Sequence, residues 1–499
     1  MNNYDTWTLT SDAGLQALSW SSVACNSDSS RIFATVNGGD IYRSTDFGIT
    51  WNPTNDSALN TLSWSAITSS SNGYRVYATA RAGDIYKSTN LGVTWTPTGD
   101  TNINTLNWSS ITTNSDGSII FATESEGDIY ISTDYGVTYN PTNNGDLNVN
   151  LWTSITCSSN GRKVAAVSLL YPNIFLSTDA GLTWNSTNNG GNFTQNNNNF
   201  WSGITINSDG SKMAAVAAIS GGTGDIYRSD NSGLIWTPTN NQDLNNFTWQ
   251  CIASNSDGKK LVAAVNSSGS GVSDIYRSND SGATWIPTNN SSLNTLNWQS
   301  VAMSSNGYRI VAVVNGGGIY TYESSPICFL KGSKILCLID EKEVYVPIEK
   351  IEKGTLIRTR TEGYIPVSAI GHSKIFNPKH KLNTKNRLYK CSPKNYPELI
   401  DDLVLTGCHS ILVEKLTQEQ REKSILLTGD VYVTENRFRL IACTDNRAEP
   451  YTEEGVHDIY HLALESTDYY KNFGIYANGL FVESTSKRMI MEYSGMEIL

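Results

Sequence analysis

No stretch of this sequence approaches the roughly 18 consecutive apolar residues that a membrane-spanning helix needs. Its opening Met1-Asn2-Asn3-Tyr4-Asp5 lacks the charged-then-apolar pattern of a signal peptide. The two absences predict a soluble, intracellular chain with no membrane partner. Positive charge is also short. The formal net charge is -11, and no Lys/Arg cluster falls on a predicted helix, so phosphate recognition lacks its concentrated counter-charge and nucleic acid is not an expected partner. The basic stretch Lys374 to Lys390 reads as a solvated loop. The eight cysteines are scattered, with no Cys-x-x-Cys facing a second pair, so neither a metal centre nor a cofactor is expected. Cys25 and Cys157 occupy the same slot after a repeated Trp, which predicts buried strand thiols rather than disulfides. Sequons such as Asn107, Asn192 and Asn246 are what a chain rich in Asn, Ser and Thr produces by chance.

At 499 residues the chain exceeds one core, and its composition shows where it divides. Residues 1–325 carry 13 Lys+Arg and 23 Asp+Glu and are crowded with Asn, Ser, Thr and Gly; residues 326–499 carry 23 and 24. The expected units are 1–325, 326–487 and a C-terminal tail, 488–499.

An internal repeat decides the first unit. A Trp opening a short apolar strand recurs at Trp20, Trp64, Trp108, Trp152, Trp201, Trp249 and Trp298, spaced by 44, 44, 44, 49, 48 and 49 residues. Each unit reads as four short strands punctuated by Gly and Asn clusters, and four strands per 40–50 residues is the pattern of a β-propeller blade. Between the third and fourth strands stands Ser-x-Asp-x-Gly-x-x-Trp, first as Ser44, Asp46, Gly48 and Trp51. Asn90 and Asn231 replace the Asp in two copies, and Tyr139 replaces the Trp in one. Asp or Asn can cap local amides there, Gly tolerates positive φ, and the aromatic packs between blades. The element resembles the Asp box of BNR-type propellers.

Trp7 precedes Trp20 by the 13 residues that separate Trp51 from Trp64, so it reads as a stranded fourth strand. The seventh unit ends at Gly318-Ile319-Tyr320 without an Asp box. Residues 1–10 are therefore expected beside Asn315 to Tyr322, completing a seven-bladed propeller and hiding its edges. Asp boxes also occur in sialidases, but their catalytic arginines have no counterpart here: Arg31, Arg75, Arg309, Arg43, Arg228 and Arg277 sit at repeated strand positions, as scaffold residues would. The propeller is read as a binding platform, for a protein or a glycan, or as a passive domain.

The second unit opens at Cys328-Phe329-Leu330-Lys331-Gly332-Ser333. Val346 to Thr359, Leu405-Thr406-Gly407-Cys408-His409, Tyr460-His461-Leu462 and Tyr476-Ala477-Asn478-Gly479-Leu480 follow. Together these blocks resemble the Hint (hedgehog/intein) family over residues 328–485, and the last is most similar to Hint domains fused to the C-termini of proteins of large DNA viruses. The resemblance implies an all-β chain, a propeller followed by a Hint β-fold, and, if viral, a place in host cytoplasm or virion. It also implies autoprocessing: an N-to-S acyl shift at Ile327–Cys328, with Cys328 as nucleophile, Thr406 holding the scissile amide and His409 protonating the departing nitrogen. His461 stands where inteins commonly carry Asp and is a candidate for proton transfer. Cys337, Cys391, Cys408 and Cys443 are read as structural, as is Thr355 in a turn that usually carries Asp.

Splicing inteins finish with His-Asn, whereas this sequence has Glu483-Ser484-Thr485, and Ser has no amide nitrogen for cyclisation. Full splicing is not expected. The chain would act once, on itself, releasing the propeller to water or another nucleophile as acyl acceptor. The alternative is a non-processing binding or structural protein with a decayed Hint domain.

Overall fold

The computed structural model describes residues 7–145, 147–148, 150–170, 173–187, 200–218, 224–239, 244, 247–266, 273–288, 290–323, 327–377, 387–428, 430–493 and 496–499. Two compact units divide between Tyr322 and Glu323. Strands dominate both; the longest helix among the described residues is the 11-residue Gln418–Thr428.

In the first unit each Trp lies at or near the start of a strand that buries it and the third residue after it, as Trp108 and Ile111 are, and the next strand can be buried throughout, as in Ile32–Val36 and Val76–Ala80. The first repeat shows the pattern: Leu18–Cys25, Ile32–Val36, Ile41–Ser44 and Asn52–Pro53 pair antiparallel in sequence order. The repeats opening at Trp64, Trp201 and Trp249 form separate four-stranded sheets, and the others merge in pairs through extended second strands. Every repeat Trp is almost fully buried, and most meet an aromatic from the third strand edge-on, as Trp64 meets Tyr86 at 5.1 Å.

The first and last parts of this unit join. Trp7–Leu9 pairs antiparallel with Ile319–Glu323, with Trp7 opposite Tyr322, and the Trp7 ring lies 5.4 Å from Tyr322 and 6.1 Å from Trp298. Residues 1–6 of the expected closing segment lie outside the described residues. A second closure runs through backbone alone. Ser27 donates to the carbonyl of Ser71, Ser71 to Ser115, Ser115 to Ser159, Ser159 to Ser208, Ser208 to Ser256, Ser256 to Ser305, and Ser305 back to Ser27, all within 2.7–2.9 Å.

The Asp boxes act as the turn chemistry requires. Ser44 Oγ donates to Asp46 Oδ1 at 2.8 Å and accepts the Gly48 N–H at 2.8 Å, while Asp46 Oδ1 accepts from Thr50 N at 2.9 Å. Trp51 Nε1 donates to the Gly48 carbonyl at 3.0 Å, closing the turn on itself. Gly48 has φ +84°, and a Cβ there would come within 2.8 Å of Thr321, a residue of the last repeat. Gly is therefore demanded twice, by its dihedral and by the approach of the Thr321 side chain from the last repeat. Cys25 and Cys157 do lie on strands and are free thiols, although partly rather than fully buried.

The second unit is one extended sheet system. Its spine is the 14-residue strand Tyr364–Asn377 paired with Gly455–Leu464, in a register that sets Gly371 opposite His461 and His372 opposite Tyr460. Phe329–Leu330 lies between Gly455–Leu464 and Leu403–Thr406, with Phe329 opposite both Tyr460 and Leu405. Gly474–Ala477 and Leu480–Glu483 form a hairpin whose two turn residues, Asn478 (φ 45°) and Gly479 (φ 98°), are both left-handed, as a two-residue turn of this kind demands. Asn478 also accepts from Lys334 N at 2.6 Å and donates to the Asp402 carbonyl at 2.7 Å, tying three segments together.

Two expectations need correction. Lys374 to Lys390 is not a solvated loop at its ends. Its start belongs to Tyr364–Asn377 and its end to Leu388–Cys391, because Ile375, Leu388 and Tyr389 turn inward between the lysines; residues 378–386 lie outside the described residues. Nor is 488–499 a tail. Met489–Tyr493 is a single helical turn, Glu497–Ile498 pairs with Gly371 and His372, and Ile490 and Met496 are buried.

Candidate functional site

The strand register brings Cys328 and Thr406 together across 78 residues of sequence. The Cys328 amide N–H donates to Thr406 Oγ1 at 2.9 Å, Thr406 N–H returns a bond to the Cys328 carbonyl at 3.0 Å, and Thr406 Oγ1 makes a longer contact, 3.4 Å, with that same carbonyl. The amide nitrogen held by Thr406 is that of the Ile327–Cys328 peptide bond. Thr406 has no exposed surface, so this bond is made where water does not compete.

His409 follows through a tight turn, its N–H donating to the Thr406 carbonyl at 2.9 Å. Its ring lies 4.4 Å from Phe329, the residue next to Cys328, and 5.3 Å from His461, which itself lies 5.4 Å from Phe329. Both imidazoles are buried, and neither ring nitrogen of either has a hydrogen-bond partner among the described residues. Burial holds them neutral. It pulls the His409 pKa down to about 3, slightly opposed by the backbone of Ser410, and pushes His461 well below its ordinary value, with His409 adding to the effect.

Cys328 is fully buried in an apolar cluster with Ile375, Leu388, Val404, Ile459 and Met496, whose Sδ is 3.8 Å from Cys328 Sγ. Desolvation raises the thiol pKa well above its ordinary value, so the resting group is a neutral thiol. Cys337 and Cys391, pushed up to about 12 by burial, are core thiols, and Cys408 is buried as well.

Glu483 and Ser484 hold structural bonds. Glu483 is buried, ion-paired to Arg439 Nε at 2.8 Å, and accepts from Thr434 Oγ1 at 2.5 Å and Asn472 Nδ2 at 3.0 Å. Ser484 Oγ accepts the Phe473 N–H at 3.0 Å. Thr355 uses its hydroxyl to accept from Glu352 N at 3.2 Å, a capping task a carboxylate could equally perform. Among the described residues no cluster of His, Cys, Asp or Glu could hold a metal, and no helix is long and apolar enough to cross a membrane.

A family model for the BNR-Asp box repeat matches residues 41–54, the third strand and box of the first repeat. Among solved structures the chain is similar to YCF48 bound to D1 peptide, at 13% identity and a TM-score of 0.50, covering 64% of this chain and 97% of that one. The first unit is a β-propeller. It is likewise similar to the GH74 enzyme of Niastella koreensis, at 15% identity and a TM-score of 0.50, but this chain spans only 60% of that enzyme. Identities this low speak to the propeller's fold and to nothing of its chemistry. No curated protein matches the chain.

Two features of the site were not read from sequence. One is the packing of Met496 on the Cys328 sulfur. The other is the cluster of Phe329, His409 and His461, each ring within 5.4 Å of the other two, which only the register of strands distant in sequence creates.

Proposed function

We propose that residues 326–487 form a Hint-type autoprocessing domain acting on the Ile327–Cys328 bond, behind a seven-bladed propeller that the Trp7 strand and the seven-serine hydrogen-bond cycle close. The observation that carries this reading is the Cys328 amide held at 2.9 Å by Thr406, with two buried imidazoles, whose ring nitrogens have no partner among the described residues, packed on the next residue, Phe329. Leaving a buried polar group unsatisfied costs about 1–3 kcal/mol, and four such nitrogens at one place are hard to account for as packing.

The reaction would run as follows. Cys328 Sγ attacks the Ile327 carbonyl carbon, and neutral His409 accepts the thiol proton. The tetrahedral intermediate collapses with cleavage of the carbon–nitrogen bond, and the proton passes to the Cys328 nitrogen, which leaves as an amine. The propeller is then a thioester on Cys328. Water or another nucleophile attacks that thioester and sulfur departs as thiol, releasing the propeller in a single turnover. His461, whose ring centroid lies 5.3 Å from that of His409, would share the proton. Thr406 positions the bond rather than moving protons.

The propeller would serve as an interaction platform for a protein or a glycan; the peptide carried by the YCF48 structure supports the protein as the class to test first. The second reading, a binding or structural protein that does not process, is favoured by the complete burial of Cys328. Thiol-induced cleavage of variants separates the two. His409→Ala should slow cleavage by roughly 100-fold, the scale for losing a general acid or base. Thr406→Val should slow it while leaving the thiol in place. Equal, negligible cleavage in all forms would favour the second reading.

A further inference from the structure

Met496 packs against the candidate nucleophile, and one glycine makes room for it. Gly371 lies mid-strand with no positive φ to explain it. A Cβ added there would come within 2.9 Å of Met496 Cβ and Sδ and 3.1 Å of Ile490. A glycine inside a strand marks a close approach by another segment, and here the segment is the chain's own C-terminal stretch.

Three contacts seat it. Ile498 and Glu497 pair with Gly371 and His372 along the edge that Leu356–Arg358 leaves free beyond Pro366, and Leu499 N–H donates to the Ile370 carbonyl at 3.0 Å. Ile490 and Met496 are buried, and the Met496 sulfur stands 3.8 Å from Cys328 Sγ. The hold is nevertheless small. Among the described residues Met491, Ile498 and Leu499 remain 51%, 42% and 61% exposed, and the buried side chains of the stretch are Ile490 and Met496. Segments with so few buried contacts open at low free energy, without the whole domain unfolding.

We propose that the C-terminal stretch, Met489–Tyr493 together with 496–499, is a built-in cover that shields Cys328 from water and external thiols until it is displaced. The proposal rests on the reading of Cys328 as nucleophile only for its consequence, which is that displacement licenses cleavage. The cover itself is a statement about access. It assigns Gly371 and Met496 a positioning role, and it accounts for a nucleophile that is wholly buried in the resting chain.

Alkylation of the native protein by iodoacetamide, read cysteine by cysteine by peptide mass spectrometry, tests it. The forms compared are the full chain, the chain shortened after Lys487, Met496→Ala and Gly371→Val. Cys328 should label at least about tenfold faster in the three altered forms, because thiol reactivity follows exposure and thiolate character. Cys337 and Cys391, buried in the same unit away from the cover, should keep their full-chain rates. Unchanged Cys328 labelling in Met496→Ala and in the shortened chain would overturn the proposal, as would Cys328 labelling in the intact full chain at its denatured rate. If all three cysteines speed up in the shortened chain, that form has unfolded and Met496→Ala, which leaves the strand pairing in place, decides. Cleavage is scored in the same samples. Faster Cys328 labelling without cleavage leaves the cover standing and removes the autoprocessing reading; both rising together supports both.

Discussion

Ser305 donates its backbone N–H to the carbonyl of Ser27 at 2.7 Å, across 278 residues. It is the last of seven equivalent bonds, and because each passes from one repeat to the next, their return to Ser27 makes the repeats a closed cycle rather than an open stack. The Ser305 hydroxyl adds a second bond to the same carbonyl at 2.8 Å. Closure by backbone and closure by the Trp7 strand fall at the same junction, so the two can be weakened separately.

Removing residues 1–10 should lower the propeller's melting temperature markedly. The deletion exposes the edge of Ile319–Glu323 and strips Trp7 from Trp298 and Tyr322, and each such aromatic pair contributes about 0.5–1.5 kcal/mol beyond area burial. Trp7→Ala should reproduce part of the loss. An unchanged melting curve for the deletion would count against closure by this strand.

The two buried histidines predict an acid limb in the second unit's stability. Their folded pKa values are depressed, to about 3 for His409, while in the unfolded chain both titrate near 6.5. Below about pH 6.5 the unfolded state binds protons that the folded state refuses, so stability is full above that pH and is lost as pH falls toward 3. For His409 the loss is on the order of 1 kcal/mol for each pH unit crossed in this window, and His461 adds to it in the same direction. Urea midpoints between pH 7 and 4 should fall steeply for the chain and less steeply for His409→Gln. Parallel curves would show that His409 is not the source.

How much of this was legible in the residues depends on how local each cause is. The Trp period and the Ser-Asp-Gly-aromatic box are local signals, since each turn closes within eight residues. The residue before each box Gly, such as Phe47 (φ 64°), Leu91 (φ 65°) and Ala180 (φ 61°), is also left-handed, but its identity varies too much to betray it. The pairing of Cys328 with Thr406 was reached through resemblance alone, because no local pattern reports a register between strands 78 residues apart. The packing of Met496 on Cys328 was missed for the same reason: nothing local in Arg488 to Leu499 reports the register that pairs Glu497 and Ile498 with His372 and Gly371.

Splicing should not occur. Glu483 and Ser484 are tied to Arg439 and Phe473 and offer no amide nitrogen for cyclisation. Mass spectrometry after prolonged incubation should find no peptide joining Ile327 to Thr485. Glu483→Gln should destabilise the second unit without creating that junction, because it weakens an ion pair buried beneath the surface, where losing one partner costs several kcal/mol. A ligated peptide from either form would contradict this reading of the C-terminal block.

The most direct measurement is intact-mass analysis of the full chain, and of the chain shortened after Lys487, incubated with hydroxylamine or dithiothreitol, which trap thioesters faster than water does. The account predicts scission between Ile327 and Cys328, faster in the shortened chain, sharply slowed in Cys328→Ser, where an oxygen ester replaces the thioester, and absent in Cys328→Ala. Both chains remaining at their full mass, or scission that persists in Cys328→Ala, would contradict it.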